Sequence, residues 1–239
     1  MSRGRSGVKT RKRQKSGSLL WALVFFVLVV LSAWVRLEQE RSERIVLGQV
    51  PEFSGEPYVV LQNGQPDFGL DDLTLEPFEI YSDLDHLGRC GTAYANVCLD
   101  IMPTQPRGDI GQVKPTGWQT VKYDCVDGKY LYNRCHLIGY QLAGENANEK
   151  NLITGTRYMN VVGMLPFENM VDDYVEDTGN HVLYRVTPIF SGDELVARGV
   201  QMEAFSVEDE GEGLCFNVYV YNVQPGIVID YATGVSWEG

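Results

Sequence analysis

Residues 130–160 read YLYNRCHLIGYQLAGENANEKNLITGTRYMN, and the reading of this stretch decides the fold. Successive side chains of an extended strand point to opposite faces. Tyr130, Tyr132, Arg134, His136 and Ile138 therefore share one face, and Leu131, Asn133, Cys135 and Leu137 the other. Arg134 and His136 point the same way. The segment 141–150 that follows is polar and turn-rich, and asparagines recur at Asn151 and Asn160. Just upstream, Asp127-Gly128 separates two runs rich in Val and Tyr. Such a pair favours a two-residue turn with positive φ at both central positions, which predicts a hairpin over 119–138.

Working outward, residues 166–176 carry an apolar stripe at Phe167, Met170, Val171, Tyr174 and Val175, with Pro166 at the tolerated first turn and Gly179 as a stop. One amphipathic helix is expected there. HVLYRVTPIF, VARGVQMEAFSV, LCFNVYVYNV and IVIDY then read as strands, as does PYVVLQN near residue 58, while 64–90 is rich in Gly, Asp and Pro and reads as irregular surface structure. His86 reads as a surface or turn residue and His181 as structural. A hairpin, a loop and a helix within a mostly antiparallel sheet make an α+β domain.

The N-terminus is of another kind. Residues 1–18 hold seven of the 20 Lys/Arg and no acid, so the rest carries 13 bases against 32 acids, a net of −19. Next comes LLWALVFFVLVVLSAWV, residues 19–35, an uncharged apolar run with Trp21 and Trp34 near its ends. Hydropathy and the basic flank predict a single-pass signal anchor with a cytoplasmic tail (1–18) and the acidic bulk outside the cell membrane. The competing reading is a cleaved signal peptide and a secreted product, which the poor small-x-small site at Leu31-Ser32-Ala33 disfavours. Residues 36–55 read as a juxtamembrane linker and 56–239 as the folded domain. Export would leave the five cysteines free to form up to two disulfides. The absence of CxxC and HxxxH argues against structural zinc.

GxSxG, HExxH, GxxxxGK[ST] and GxGxxG are all absent, which removes the common hydrolase, zinc-protease and nucleotide-binding signatures. What remains is a histidine beside an arginine, followed by spaced amides. Phosphodiester hydrolysis needs a base for the attacking water, positive charge around the non-bridging oxygens and stabilisation of the departing alkoxide. Imidazole, guanidinium and a hard cation held by oxygen ligands supply these three.

At these residues the chain resembles the DNA/RNA non-specific endonucleases of the His-Me finger (ββα-metal) class, most closely the streptodornase-like and DNA-entry nuclease branch. The family motif is Asp-Arg-Gly-His, where this chain has Asn133-Arg134-Cys135-His136. The family also spaces an asparagine nine residues before its metal-binding asparagine and a glutamate eight after it, as Asn151, Asn160 and Glu168 are spaced here. The resemblance spans most of 105–239. It implies that His136 is the general base and that Asn160 is the main protein ligand of a hydrated Mg²⁺, with Mn²⁺ as a substitute. Arg134 would hold phosphate, Glu168 would orient water on the metal, and Asn151 would position His136. Lys114 and Arg157 are candidate further phosphate contacts. The implied substrate is DNA, with RNA open, and the implied products carry 5′-phosphate ends.

Local readings compete for two of these residues: Asn160 could cap the following helix, and an acid such as Glu168 is favoured in a first turn anyway. Asn133 and Cys135 depart from the motif, but alternation puts both on the face away from His136. Residues 107–157 hold seven bases against five acids, so the least acidic part is the part expected to meet phosphate. The absence of a recognition helix or RNA-binding motif fits low sequence preference. The competing function is a catalytically silent membrane-anchored surface domain that binds a partner or nucleic acid.

Overall fold

Alternating apolar residues form strands where a sheet can bury one face of them, and the C-terminal half of this chain does so. The computed structural model describes residues 21, 23–31, 34, 47, 48 and 50–239. It divides into two units, 1–44 and 45–239. In chain order the strands of the second unit are β1 (Tyr58–Val60), β2 (Phe78–Tyr81), β3 (Ala93–Val97), β4 (Tyr132–His136), β5 (Leu152–Thr156), β6 (Val182–Ile189), β7 (Gly199–Ser206), β8 (Cys215–Tyr221), β9 (Ile227–Ile229) and β10 (Ser236–Glu238). Six of them make one antiparallel sheet in the order β1-β8-β7-β6-β3-β2, and β9 pairs with β10. β2 and β3 lie in or next to the stretch that composition marks as irregular. Val50 and Phe53 pack with Tyr219 and Tyr221 beside β8.

The expected helix runs from Leu165 to Thr178, with Pro166 in its first turn and Gly179 closing it at φ 72°. Phe167, Val171 and Val175 are buried against the sheet with Phe216, Val218 and Val220, each contributing on the order of 1.5–3 kcal/mol. Met170 faces outward. A π-helical turn, Met159–Met164, leads into the helix, and Gly163 permits its close approach to Val220. Such turns displace one residue's register and occur often at functional sites. β4, β5 and this helix follow one another as strand, strand, helix, the arrangement expected of the ββα core.

The hairpin predicted over 119–138 is corrected. Positive φ falls on Gly128 and Lys129, not on Asp127 and Gly128, so the turn does not launch a ladder from Asp127. Residues 121–131 close instead as a compact loop, with Lys129 N–H donating to Val126 O and a single bridge between Lys122 and Tyr130. β4 takes its ladder from β5, with Arg134 opposite Thr154 and His136 opposite Leu152.

All five cysteines are free. Cys135 is a core thiol lying over Gly155, where an added Cβ would come 2.3 Å from its Sγ and 2.5 Å from Met159 Cε. Gly155→Ala is therefore expected to cost about 1–3 kcal/mol by overpacking, lowering Tm by roughly 2–4 °C per kcal/mol. Adding Cys135→Gly should return part of the loss. Thermal denaturation checks this, and a single variant melting with the wild type would show that the strand relaxes freely.

The transmembrane anchor expected over 19–35 is also corrected. Among the described residues, no helix is long and apolar enough to cross a membrane. Residues 19, 20, 22, 32, 33 and 35 of that run lie outside the described residues. The membrane partner and the single-pass topology fall with that anchor. Residues 1–18, expected as a basic tail, and most of 36–49 lie outside the described residues.

Candidate active site

The end of β4 delivers His136 into a buried position, and each ring nitrogen has a partner. Nη2 of Arg107 lies 3.3 Å from Nδ1, and Nε2 lies 2.7 Å from the Asn146 carbonyl oxygen. A guanidinium cannot accept and a carbonyl cannot donate. These partners assign the neutral tautomer with the proton on Nε2, donated to Asn146, and the lone pair on Nδ1. Burial pushes the His136 pKa below the ordinary imidazole value; the Asn146 carbonyl opposes this and the charge of Arg107 adds to it. The ring is held neutral with one basic nitrogen.

Asn151 braces the backbone just beyond. Its Oδ1 accepts from Ile138 N–H at 2.9 Å, its Nδ2 donates to Ile138 O at 3.0 Å, and its own carbonyl accepts from Leu137 N–H at 2.9 Å. The side-chain amide thus continues the β4–β5 pairing past the last ladder residue. A fully buried amide with both ends satisfied fixes the chain at its position.

Glu168, in the first turn of the long helix, is buried against Gly139, where any Cβ would meet its carboxylate at 2.9 Å. Burial pushes its carboxyl up to about 8, while the positive charge of Arg107 pulls the other way. Arg107 so joins His136 and Glu168 in one electrostatic group. Asn160 stands apart from that group: its Nδ2 donates to Asn133 Oδ1 at 3.2 Å. Asn133 is three residues along β4 from His136, roughly 10 Å of strand. No hydrogen bond joins Asn160 to His136 or Glu168 among the described residues.

Asn133 fixes the amide of Asn160 by its nitrogen and leaves Oδ1 as the open donor atom. Among the described residues, no group of three or more His, Cys, Asp or Glu could cage a metal ion. The amide oxygen of Asn160 and, apart from it, the buried carboxyl of Glu168, which no described donor hydrogen-bonds, both offer hard oxygens. That suits a cation such as Mg²⁺, which keeps most of its waters.

Arg134 does point to the His136 side of β4, yet its Nε and Nη2 are engaged. Nε donates to Val113 O, Nη2 donates to Gly111 O at 2.8 Å, and the guanidinium stacks on Trp118 at 4.1 Å. Lys114, in the same loop, is exposed and lines a cleft with Thr116, Glu149 and Leu152. Arg157 pairs with exposed Asp127 at 3.0 Å, beside the loop 121–131. His86 is exposed in a turn, and His181 pairs with Glu208 at 2.6 Å.

Sequence reasoning missed Arg107, Asn146, Asn133 and Trp118. Arg107 sits in irregular sequence with no period to mark its direction, and Asn146 contributes a backbone carbonyl that any residue would carry. Asn133 was legible as facing away from His136, and the helix bearing Asn160 packs on that side.

The chain is similar in sequence and fold to known nucleases. The family described as DNA/RNA non-specific endonuclease matches residues 74–208. NucA from Streptococcus agalactiae, solved with magnesium ion bound, is 27% identical with a TM-score of 0.71, over 85% of this chain and 96% of that one. Sda1 nuclease, solved with bound zinc ion, is 26% identical with a TM-score of 0.66, over 77% of this chain and 97% of that one. A solved extracellular endonuclease, 21% identical with a TM-score of 0.55 over 78% of this chain and all of that one, shares the fold.

Proposed function

The chain belongs to the DNA/RNA non-specific endonuclease family, and from that premise we propose that His136 Nδ1 takes the proton of the water that attacks a DNA phosphodiester. The protein is a metal-dependent non-specific endonuclease. This places enzymatic hydrolysis ahead of the catalytically silent binding domain. The observation that carries the assignment of the base is the pair of contacts on its ring, which put the proton on Nε2 and the lone pair on Nδ1; that lone pair accepts from Arg107 here and opens to water when the guanidinium turns to phosphate.

In this reading Arg107 and Lys114 meet the non-bridging phosphate oxygens, and Asn151 keeps the end of β4 in place. Arg157 can join them only by leaving Asp127, which for an exposed pair costs no more than about 1 kcal/mol. Asn160 Oδ1 is the main protein ligand for Mg²⁺, or Mn²⁺ in its place, and Glu168 accepts hydrogen bonds from the water around it. When bound, the ion supplies positive charge to the departing 3′ oxygen. Water adds to phosphorus, the P–O3′ bond breaks, the departing O3′ takes a proton from solvent water, and the products are 5′-phosphate and 3′-hydroxyl ends.

The test is digestion of plasmid, single-stranded DNA and RNA in parallel by the full chain. Mg²⁺ or Mn²⁺ should support cleavage of DNA, EDTA should stop it, and excess Mg²⁺ should restore it. The fragments should ligate without prior kinase treatment. Intact DNA after incubation in Mg²⁺ with cooperatively folded protein would remove the proposal.

A further inference from the structure

We propose that Arg134 and Trp118 are positioning residues: together they latch the irregular segment 105–118 over β4 and so hold Arg107 against His136. This rests on the reading of His136 as base and Arg107 as phosphate contact.

A segment without ladder partners must satisfy its backbone carbonyls elsewhere. Here side chains do so. Tyr140 Oη donates to Gln105 O at 2.7 Å, Asn146 Nδ2 to Asp109 O at 3.4 Å, and Thr154 Oγ1 to Thr116 O at 2.8 Å. Between them lie the two carbonyls of Gly111 and Val113, and both are taken by the one guanidinium of Arg134. These are charge-assisted bonds, the stronger kind. Arg107 is four residues before Gly111, and its hold on Nδ1 is a 3.3 Å contact.

The edge of Arg134 used here decides between two roles. Nε and one Nη form the parallel pair of donors that a guanidinium offers to a phosphate from the side. Both are committed to the backbone, so that bidentate contact is closed. The plane of the same group is fixed on Trp118, which is seated on Val126, Leu131 and Tyr132. Trp118 hydrogen-bonds neither carbonyl; its part is to set the guanidinium's orientation. A lysine could replace the charge of Arg134 but could not span both carbonyls in a fixed plane.

Arg134→Ala and Trp118→Leu separate the latch from direct phosphate binding, the leucine keeping apolar bulk on the cluster below. Three quantities are measured on the full chain: amide exchange over 107–114, kcat/KM on DNA, and the acid limb of its pH profile. Both variants should exchange this segment on the order of tenfold faster and lose on the order of tenfold in kcat/KM. The double variant should fall little below the worse single one, because the two changes open one latch. The acid limb should move to higher pH in both, since freeing Arg107 removes a positive charge from beside His136. Besides Arg107 the ring faces the Asn146 carbonyl, and Glu168, reached through Arg107, is the next titratable group. Loss of packing alone would lower the rate without moving that limb. The latch is overturned if Trp118→Leu keeps wild-type exchange and rate while Arg134→Ala loses activity with its exchange unchanged. Failure of the nuclease reading would show separately, as a wild-type chain that cuts nothing while the exchange difference persists.

Discussion

His136→Ala should lower kcat on plasmid DNA by roughly 10²–10⁴-fold, the usual contribution of a positioned general base, while the variant still melts cooperatively. The size follows from how the ring is held. A free imidazole divides its time among tautomers and protonation states; here the Asn146 carbonyl fixes the proton on Nε2 and burial keeps the ring neutral. The pH dependence has a definite sign. The active form is the neutral one, and its folded-state pKa is depressed below 6.5, so activity should persist as pH falls through 6.5 and be lost only below it. Stability carries the same linkage: the unfolded chain takes up a proton near pH 6.5 that the folded chain refuses, so this contribution is present above that pH and is lost as pH falls toward the folded pKa. Initial rates from about pH 4.5 to 8 check the argument. An acid limb centred at or above 6.5 would mean that the ring is solvated in the working enzyme, and an alanine variant retaining a tenth of the rate would falsify the assignment.

What the sequence disclosed about this site was whatever depends on local rules. Strand alternation put Arg134 and His136 on one side of β4, and the helix over 165–178 announced itself through Pro166, Gly179 and its apolar stripe. Resemblance to the family's spacing, rather than a local rule, singled out Asn151, Asn160 and Glu168. What escaped depends on distant partners. Asp127-Gly128 suggested a hairpin because turn chemistry is local, whereas β4 pairs with β5 across the 137–151 segment. β3 lies between β2 and β6 in the sheet, yet its run AYANV has too little apolar period to stand out beside Gly- and Asp-rich neighbours. Arg107 reaches His136 from a loop whose course is fixed by carbonyl contacts, and no residue pattern encodes those. The apolar run at 19–35 was judged by hydropathy, its basic flank and its terminal Trp residues, and among the described residues no helix is long and apolar enough to cross a membrane.

Asn160→Ala should lower the rate by roughly 10²–10³-fold, as expected for removing a preorganised group that stabilises charge in the transition state. It should also raise the Mg²⁺ concentration needed for half-maximal rate. Oδ1 is the one open oxygen on the amide, because Nδ2 is spent on Asn133. Two companion variants distinguish ligation from packing. Asn160→Asp keeps an oxygen in reach and should recover part of the rate at lower Mg²⁺ than the alanine form needs. Asn133→Ala leaves the ligand but frees its amide to rotate, so it should fall between wild type and Asn160→Ala, with a smaller shift in Mg²⁺ demand. If Asn160 served only the helix start, all three would change Tm together and leave the Mg²⁺ dependence where it was. The π-helical turn gives the structural reason to expect otherwise: within Met159–Met164, Asn160 lies inside the turn and not at its cap, and the Leu165 N–H already bonds its carbonyl. The backbone is provided for without the side chain, and the amide oxygen is left open.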